Sequence, residues 1–212
     1  MVLKKTIFVI ISVALVCGFA ATAFSFNEDT RAEMVDDAAE FCPPALKSYL
    51  EGNQEILDWG MGYASRWERY RLNPLELETV YQALVSDLKS GKLSEYQTAK
   101  RFGVLACYAA EIIYPGALFG YGESENFVPD QVVYQGYSGL PDFGNRISYL
   151  MERYRRTYWQ NSDPETVQLL YQASVNEIVD LWVSAWKEAG LDISGVAERG
   201  AVVGHDIIRA DK

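Results

Sequence analysis

The chain holds a single histidine, His205, among 212 residues. That scarcity excludes any mechanism needing two imidazoles in one subunit. His-rich zinc sites go with it, and a Ser-His-Asp triad would depend on a residue close to the C-terminus. Cysteine is nearly as sparse, with only Cys17, Cys42 and Cys107. Basic side chains are outnumbered, 19 Lys and Arg against 29 Asp and Glu, giving a net charge of −10. Such a surface repels nucleic acid and anionic membranes at long range, so no nucleic-acid partner is expected. No alternating strand pattern of any length occurs, which predicts an all-α fold.

What is present begins with an export signal. Lys4 and Lys5 precede an apolar run from Ile7 to Val16, then Ala21-Thr22-Ala23. A basic start, a short apolar core and an A-x-A site describe a signal peptide over residues 1–23 and a secreted or periplasmic protein. The run falls short of the roughly 20 residues that cross a bilayer, so no stable membrane span is expected after cleavage. Lipidation at Cys17 is the weaker reading, because Leu15 and Val16 are poor residues directly before a lipidated cysteine. Cleavage removes two lysines and no acid, taking the net charge from −10 to −12. In an oxidising compartment Cys42 and Cys107 either form one disulfide or stay as thiols. The mid-helix, apolar setting of Cys107 favours the thiol.

The remainder reads as helices with proline starts and glycine stops. Asn27 to Glu40 forms the first, with Thr30 and Glu33 at capping-box spacing. Cys42-Pro43-Pro44 ends it, and Pro44 opens a second. Glu51 to Trp59 is a further helical piece, broken by Gly60 and Gly62. Pro74 to Ser90 is amphipathic, with Leu75, Leu77, Val80, Tyr81, Leu84, Val85 and Leu88 on one face and Gly91 as its stop. Ser94 caps a central helix that extends to about Ile113. Between Tyr114 and Asp142 lies a long loop with five glycines and three prolines, whose aromatics are expected to pack down over the helices. Helix resumes from Phe143 to Tyr158, and its Arg153–Arg156 stretch reads as a solvated face. Asp163-Pro164-Glu165 starts a last helix running to about Ala189, with Gly190 as its stop and Trp182 and Trp186 in the core. Leu191 to Lys212 reads as a glycine-punctuated, partly disordered tail, with His205 solvated within it.

The segment FGVLACYAAEIIYPGA, Phe102 to Ala117, resembles the LG-x-x-x-HY-x-x-D-x-x-x-P-x-H segment of the zinc-dependent phospholipase C superfamily, which also contains single-strand-specific nucleases. Phe102-Gly103 matches the opening pair, Tyr108 the tyrosine and Pro115 the proline. FNEDTRAEMVDDA is similar to that family's first metal-binding helix, WGMGYAS at Trp59–Ser65 to its G-x-x-A-x-D turn, and SVNEIVDLWVSAWKEAG to its C-terminal helix. The resemblance implies a multi-helix phospholipase C-like bundle over residues 24–190, with residues 191–212 as a tail.

It also implies a trinuclear zinc site, yet each ligand position that can be placed has changed. Arg31 stands for the first-helix histidine, Ser65 for the turn aspartate, Cys107 and Glu111 for the central histidine and aspartate, and Ala117 for the histidine after the proline. Asp142 and Arg146 fall on the later H-x-x-x-E pair. Such a set is not expected to hold zinc, because two arginines bring fixed positive charge into the former metal pocket. Arg31 and Arg146 would instead neutralise Glu111 and Asp142 through charge-assisted hydrogen bonds. Three readings follow: a catalytically inactive binding or structural module of the cell envelope; a phosphoester hydrolase with a site remodelled around Cys107, Glu111 or Asp142; or a module whose arginines bind a phosphate-bearing or lipid head-group ligand.

Overall fold

The structure, a computed structural model, describes residues 27–67, 74–113, 127–139, 143–160 and 164–205. Seven helices and two short strands make up these residues, so the domain is all-α: α1 Glu28–Phe41, α2 Pro44–Glu51, α3 Gln54–Trp67, α4 Pro74–Lys89, α5 Tyr96–Ile113, β1 Gln131–Val133, α6 Phe143–Gln160, α7 Pro164–Glu188 and β2 Val202–Gly204. The signal segment, Ala117 and Asp142 lie outside the described residues. No helix among the described residues is long and apolar enough to cross a membrane.

Helix ends follow local chemistry. Pro44, Pro74 and Pro164 each occupy the first position of a helix, where a missing N–H costs nothing. Gly91 and Gly190 adopt φ of +71° and +81°, the left-handed conformation that closes α4 and α7. After α7 the Leu191 amide reaches back to Trp186 O and the Gly190 amide to Lys187 O. Two orphan carbonyls are thereby satisfied. The start of α1 differs from the capping-box expectation. Asn27 is the cap, its side chain accepting from the Thr30 amide at 2.7 Å. Thr30 is instead buried inside the first turn, and its hydroxyl accepts from the Phe127 amide at 3.0 Å. The central helix likewise begins at Tyr96, two residues beyond Ser94.

α5 organises the molecule. Every residue from Phe102 to Ile113 is buried. α3, α4 and α7 pack around it. The expected break at Gly60 and Gly62 does not occur, and no turn falls at Trp59–Ser65: α3 runs through both glycines to Trp67. The reason is tertiary. A Cβ at Gly60 would overlap the Lys100 carbonyl of α5, and one at Gly103 would overlap the Leu57 carbonyl of α3. Each glycine admits the other helix's backbone, so the two axes approach more closely than side chains would allow. Trp182 of α7 closes the opposite flank, its indole N–H donating to Phe102 O at 3.0 Å and its ring edge-on to Phe102.

The C-terminal segment also departs from expectation. Residues 191–205 form a strap over the helices, with Ile193, Val196, Ala197, Ala201 and Val203 packed against the core. The Ala197 amide donates to Phe41 O, the Gly200 amide to Tyr134 O and the Tyr134 amide to Ala201 O. β2 pairs antiparallel with β1, Val203 opposite Val132. A sequence full of glycine turns gave no hint of this, because three-residue strands carry no detectable period and their stability comes from the partner segment. Within the described part of the long loop, Tyr134 is fully buried and stacks on Phe41 at 4.9 Å, as expected of its aromatics.

Candidate functional site

Three buried polar networks could carry chemistry. The first joins α1 to the last turn of α5. Arg31 Nη1 lies 3.1 Å from Glu111 Oε1, and the two side chains are only 3% and 5% exposed. Both sit at the wrong helix ends for the macrodipole, a cation in a first turn and an anion in a last turn. Neither is there to stabilise its own helix; the contact is tertiary. Arg31 Nε and the Tyr108 hydroxyl have no hydrogen-bond partner. Cys107, one turn before Glu111, is buried and not disulfide-bonded, as is Cys42. Burial pushes the Cys42 thiol well above its ordinary range.

The second network surrounds Arg146 of α6. Nε and Nη2 form a fork on the Glu177 carboxylate at 3.1 and 2.8 Å, and Nη2 also contacts Asp180. Nη1 donates to Ser138 Oγ at 2.7 Å and to Gly139 O at 2.5 Å. Ser138 in turn donates its amide and hydroxyl to Asp180. All five guanidinium protons are committed, so none remains for a phosphate unless the Glu177 or Asp180 contacts break. Burial raises the Glu177 carboxyl above its ordinary value, with Arg146 opposing.

The third network lies between α1, α7 and the strap. Asp37 accepts from the Tyr171 hydroxyl at 2.7 Å and faces His205 Nε2 at 2.8 Å. His205 Nδ1 lies 2.7 Å from Pro129 O. His205 is therefore not a solvated tail residue. Strap residues between Gly190 and His205 bring it back onto α1, a placement visible only once the strap's packing is known.

Of the residues singled out in the sequence, the structure brings together Arg31 and Glu111. Cys107 shares their helix but sits one turn away. Arg146 pairs with Glu177 and Asp180 of α7 among the described residues, and Asp142 lies outside them. Ser65 belongs to α3, in a stretch whose side chains are not described. Sequence reasoning missed Asp37, Tyr171, Ser138, Glu177 and Asp180. Only the last two carried a readable signal: acids three apart inside the apolar run of α7, where an unpaired carboxylate would be costly.

Chemically, the guanidinium of Arg146 is fully committed. Both ring nitrogens of His205 and both oxygens of Asp37 already have partners, so the pair is tied into the fold. Cys107 has no imidazole beside it, since His205 is held by Asp37 and Pro129. No three His, Cys, Asp or Glu side chains among the described residues converge as a metal ligand set. Glu111, the one acid in the zinc-resembling segment, faces a guanidinium that cannot be deprotonated, and this donor set does not fit a zinc ion. Comparison with protein-family models, with curated proteins and with solved structures gives no match.

Proposed function

We propose that the chain is an exported, phospholipase C-like helical domain, catalytically inactive, that acts as a binding or structural module of the cell envelope. One observation carries this reading. The acid standing where the family places a metal-binding aspartate, Glu111, is held by Arg31, which stands where the family places a histidine. An ion pair in that position replaces the charge that a zinc ion would supply and leaves the helical frame satisfied. The N-terminal signal pattern supports export.

The test is metal analysis of the purified protein together with hydrolysis of a chromogenic phosphocholine ester, with and without added zinc and with a chelator control. The expected result is no stoichiometric zinc after dialysis and no zinc-dependent turnover. Stoichiometric zinc, with turnover abolished by the chelator, would overturn the proposal in favour of a remodelled phosphoester hydrolase.

A further inference from the structure

We propose that His205 is a proton-operated latch: protonated, it fastens the C-terminal strap, residues 191–205, to α1 and to the segment leading into β1, and loss of its proton releases the strap. The geometry requires this sensitivity. Pro129 O has no proton to give, so Nδ1 must donate to it across 2.7 Å. Nε2 faces Asp37 Oδ1 at 2.8 Å, while Asp37 Oδ2 is already an acceptor for Tyr171. An imidazole between two acceptors makes both contacts only as the imidazolium, or with the missing proton on Asp37. When that proton leaves for solvent, a lone pair on Nε2 confronts a carboxylate oxygen at hydrogen-bond distance and the contact becomes repulsive.

Among the described residues, the charged side chains that act on His205 and Asp37 from α1 are acids. Glu33, Asp36 and Glu40 accompany Asp37 on α1, Tyr171 approaches from α7, and Asp130 precedes β1, its backbone carbonyl accepting from the His205 amide. Burial by itself would lower the imidazole's affinity for its proton. The Pro129 carbonyl and Asp37 outweigh it and hold the ring above its ordinary value. The other ties of the strap, through Ala197, Gly200 and Ala201, are uncharged backbone bonds that do not titrate in this range. Among the described residues, His205–Asp37 is the strap's ionic tie to the helices.

The direction follows from linkage. A raised imidazole value favours the closed strap fully below the ordinary value of about 6.5. That contribution is lost as pH rises through the closed-state value, by up to tenfold in the closing equilibrium per pH unit. At the acid end, protonation of Asp37, which burial encourages, sets a carboxyl proton against the imidazolium. The strap is thus tightest in a window bounded below by Asp37 and above by His205. Opening it uncovers the apolar strap residues and the Phe41–Tyr134 stack.

A single histidine in the chain makes the test direct, because every imidazole resonance in an NMR spectrum of the full-length protein belongs to His205. The ring is expected to titrate above about 6.5. Across the same midpoint, amide protection at Tyr134, Gly200 and His205, corrected for intrinsic exchange, should fall by up to tenfold per pH unit while Leu105 in α5 stays unchanged. His205→Gln can still donate to Asp37 but cannot titrate, so this slope should disappear. Asp37→Asn should lower the imidazole midpoint. An imidazole titrating at or below its ordinary value, strap protection independent of pH, or a slope that survives in His205→Gln would each overturn the latch. Should His205→Gln fail to fold, the wild-type midpoint and slope decide the question.

Discussion

Replacing Gly103 by Ala is the sharpest probe of how α3 and α5 meet. Judged on helix propensity alone, the change should stabilise by up to about 1 kcal/mol, since glycine is the poorest ordinary residue in a helix interior. The structure reverses the sign. The new methyl would overlap the Leu57 carbonyl oxygen and lie 2.9 Å from its carbon. Clearing the oxygen, the nearer of the two atoms, moves the helices apart by about 1 Å or more. The obstacle is backbone, so no rotamer change relieves it. A gap of that size forfeits roughly a quarter to a half of the dispersion energy of the atoms along the seam, which here includes the fully buried Leu57 and Phe102 and nearly buried Met61. Overpacking of this kind costs about 1–3 kcal/mol, and a backbone obstacle belongs at the upper end.

Subtracting the propensity gain leaves a net loss of about 2 kcal/mol, or about 4–8 °C in Tm for a domain of this size. Gly144→Ala is the matched control. It is the same chemical change in a helix, but a Cβ there meets nothing within 4 Å, so its stability should equal or slightly exceed wild type. Urea unfolding of both variants, read as a change in midpoint at constant m, makes the comparison. Gly103→Ala within about 0.5 kcal/mol of wild type, or the two variants shifting together, would refute the close-approach account.

Two further outcomes follow from the buried charges. Arg31→Met removes the guanidinium facing Glu111 and should cost about 3–5 kcal/mol at neutral pH, with Arg31→Met/Glu111→Gln recovering much of the loss in a double-mutant cycle; strictly additive effects would show the pair to be uncoupled. Asp36 is held up to about 6 by partial burial and by Glu33, Asp58 and Asp37, against a hydrogen bond from Gln54. A raised carboxyl contributes stability below its unfolded value and loses it as pH rises through about 6. Asp36→Asn should therefore be the more stable protein at pH 8, by less than about 1 kcal/mol at so exposed a position, and equal to wild type near pH 4. Equal stability at pH 8 would count against the acidic cluster.

What could be read from the sequence was what neighbours in sequence decide. Pro44, Pro74 and Pro164 open helices, and Gly91 and Gly190 close them, because a fixed φ and a missing Cβ act within one turn. The helical period placed Trp182 and Trp186 in the core, where both are found. Gly60 was misleading for the same reason that Gly91 was informative. Glycine marks either a left-handed turn or a close approach, and only the position of Lys100 on another helix tells which. Thr30 fits capping-box spacing with Glu33, whereas the cap is Asn27, a favoured N-cap residue three positions earlier. The Arg31–Glu111 contact was expected only through a family resemblance, since no local spacing links residues 80 apart. Asp37 and His205, 168 residues apart, share no pattern, and their meeting depends on the strap folding back.

These polar networks share a design that bears on the functional question. Each ties a segment distant in sequence to a helix of the bundle: α1 to α5 through Arg31, the residues after β1 to α6 and α7 through Arg146, and the strap to α1 and α7 through His205 and Asp37. Buried ion pairs add little net stability compared with apolar residues of equal volume, but removing one partner is expensive, so they penalise misplacement of the segments they join. A site that does chemistry must instead keep a donor, a lone pair or a nucleophile available to substrate. The donors of the Arg146 guanidinium are all taken, and both ring nitrogens of His205 are engaged. Among the buried polar atoms without a hydrogen-bond partner, Arg31 Nε belongs to the residue paired with Glu111 and the Tyr108 hydroxyl lies on the same helix as Glu111, α5. A ligand that reached this end of α5 would be expected to engage those two atoms. Should wild type bind phosphocholine or inorganic phosphate, Arg31→Met is expected to weaken it, and unchanged affinity would place the binding surface elsewhere on the domain.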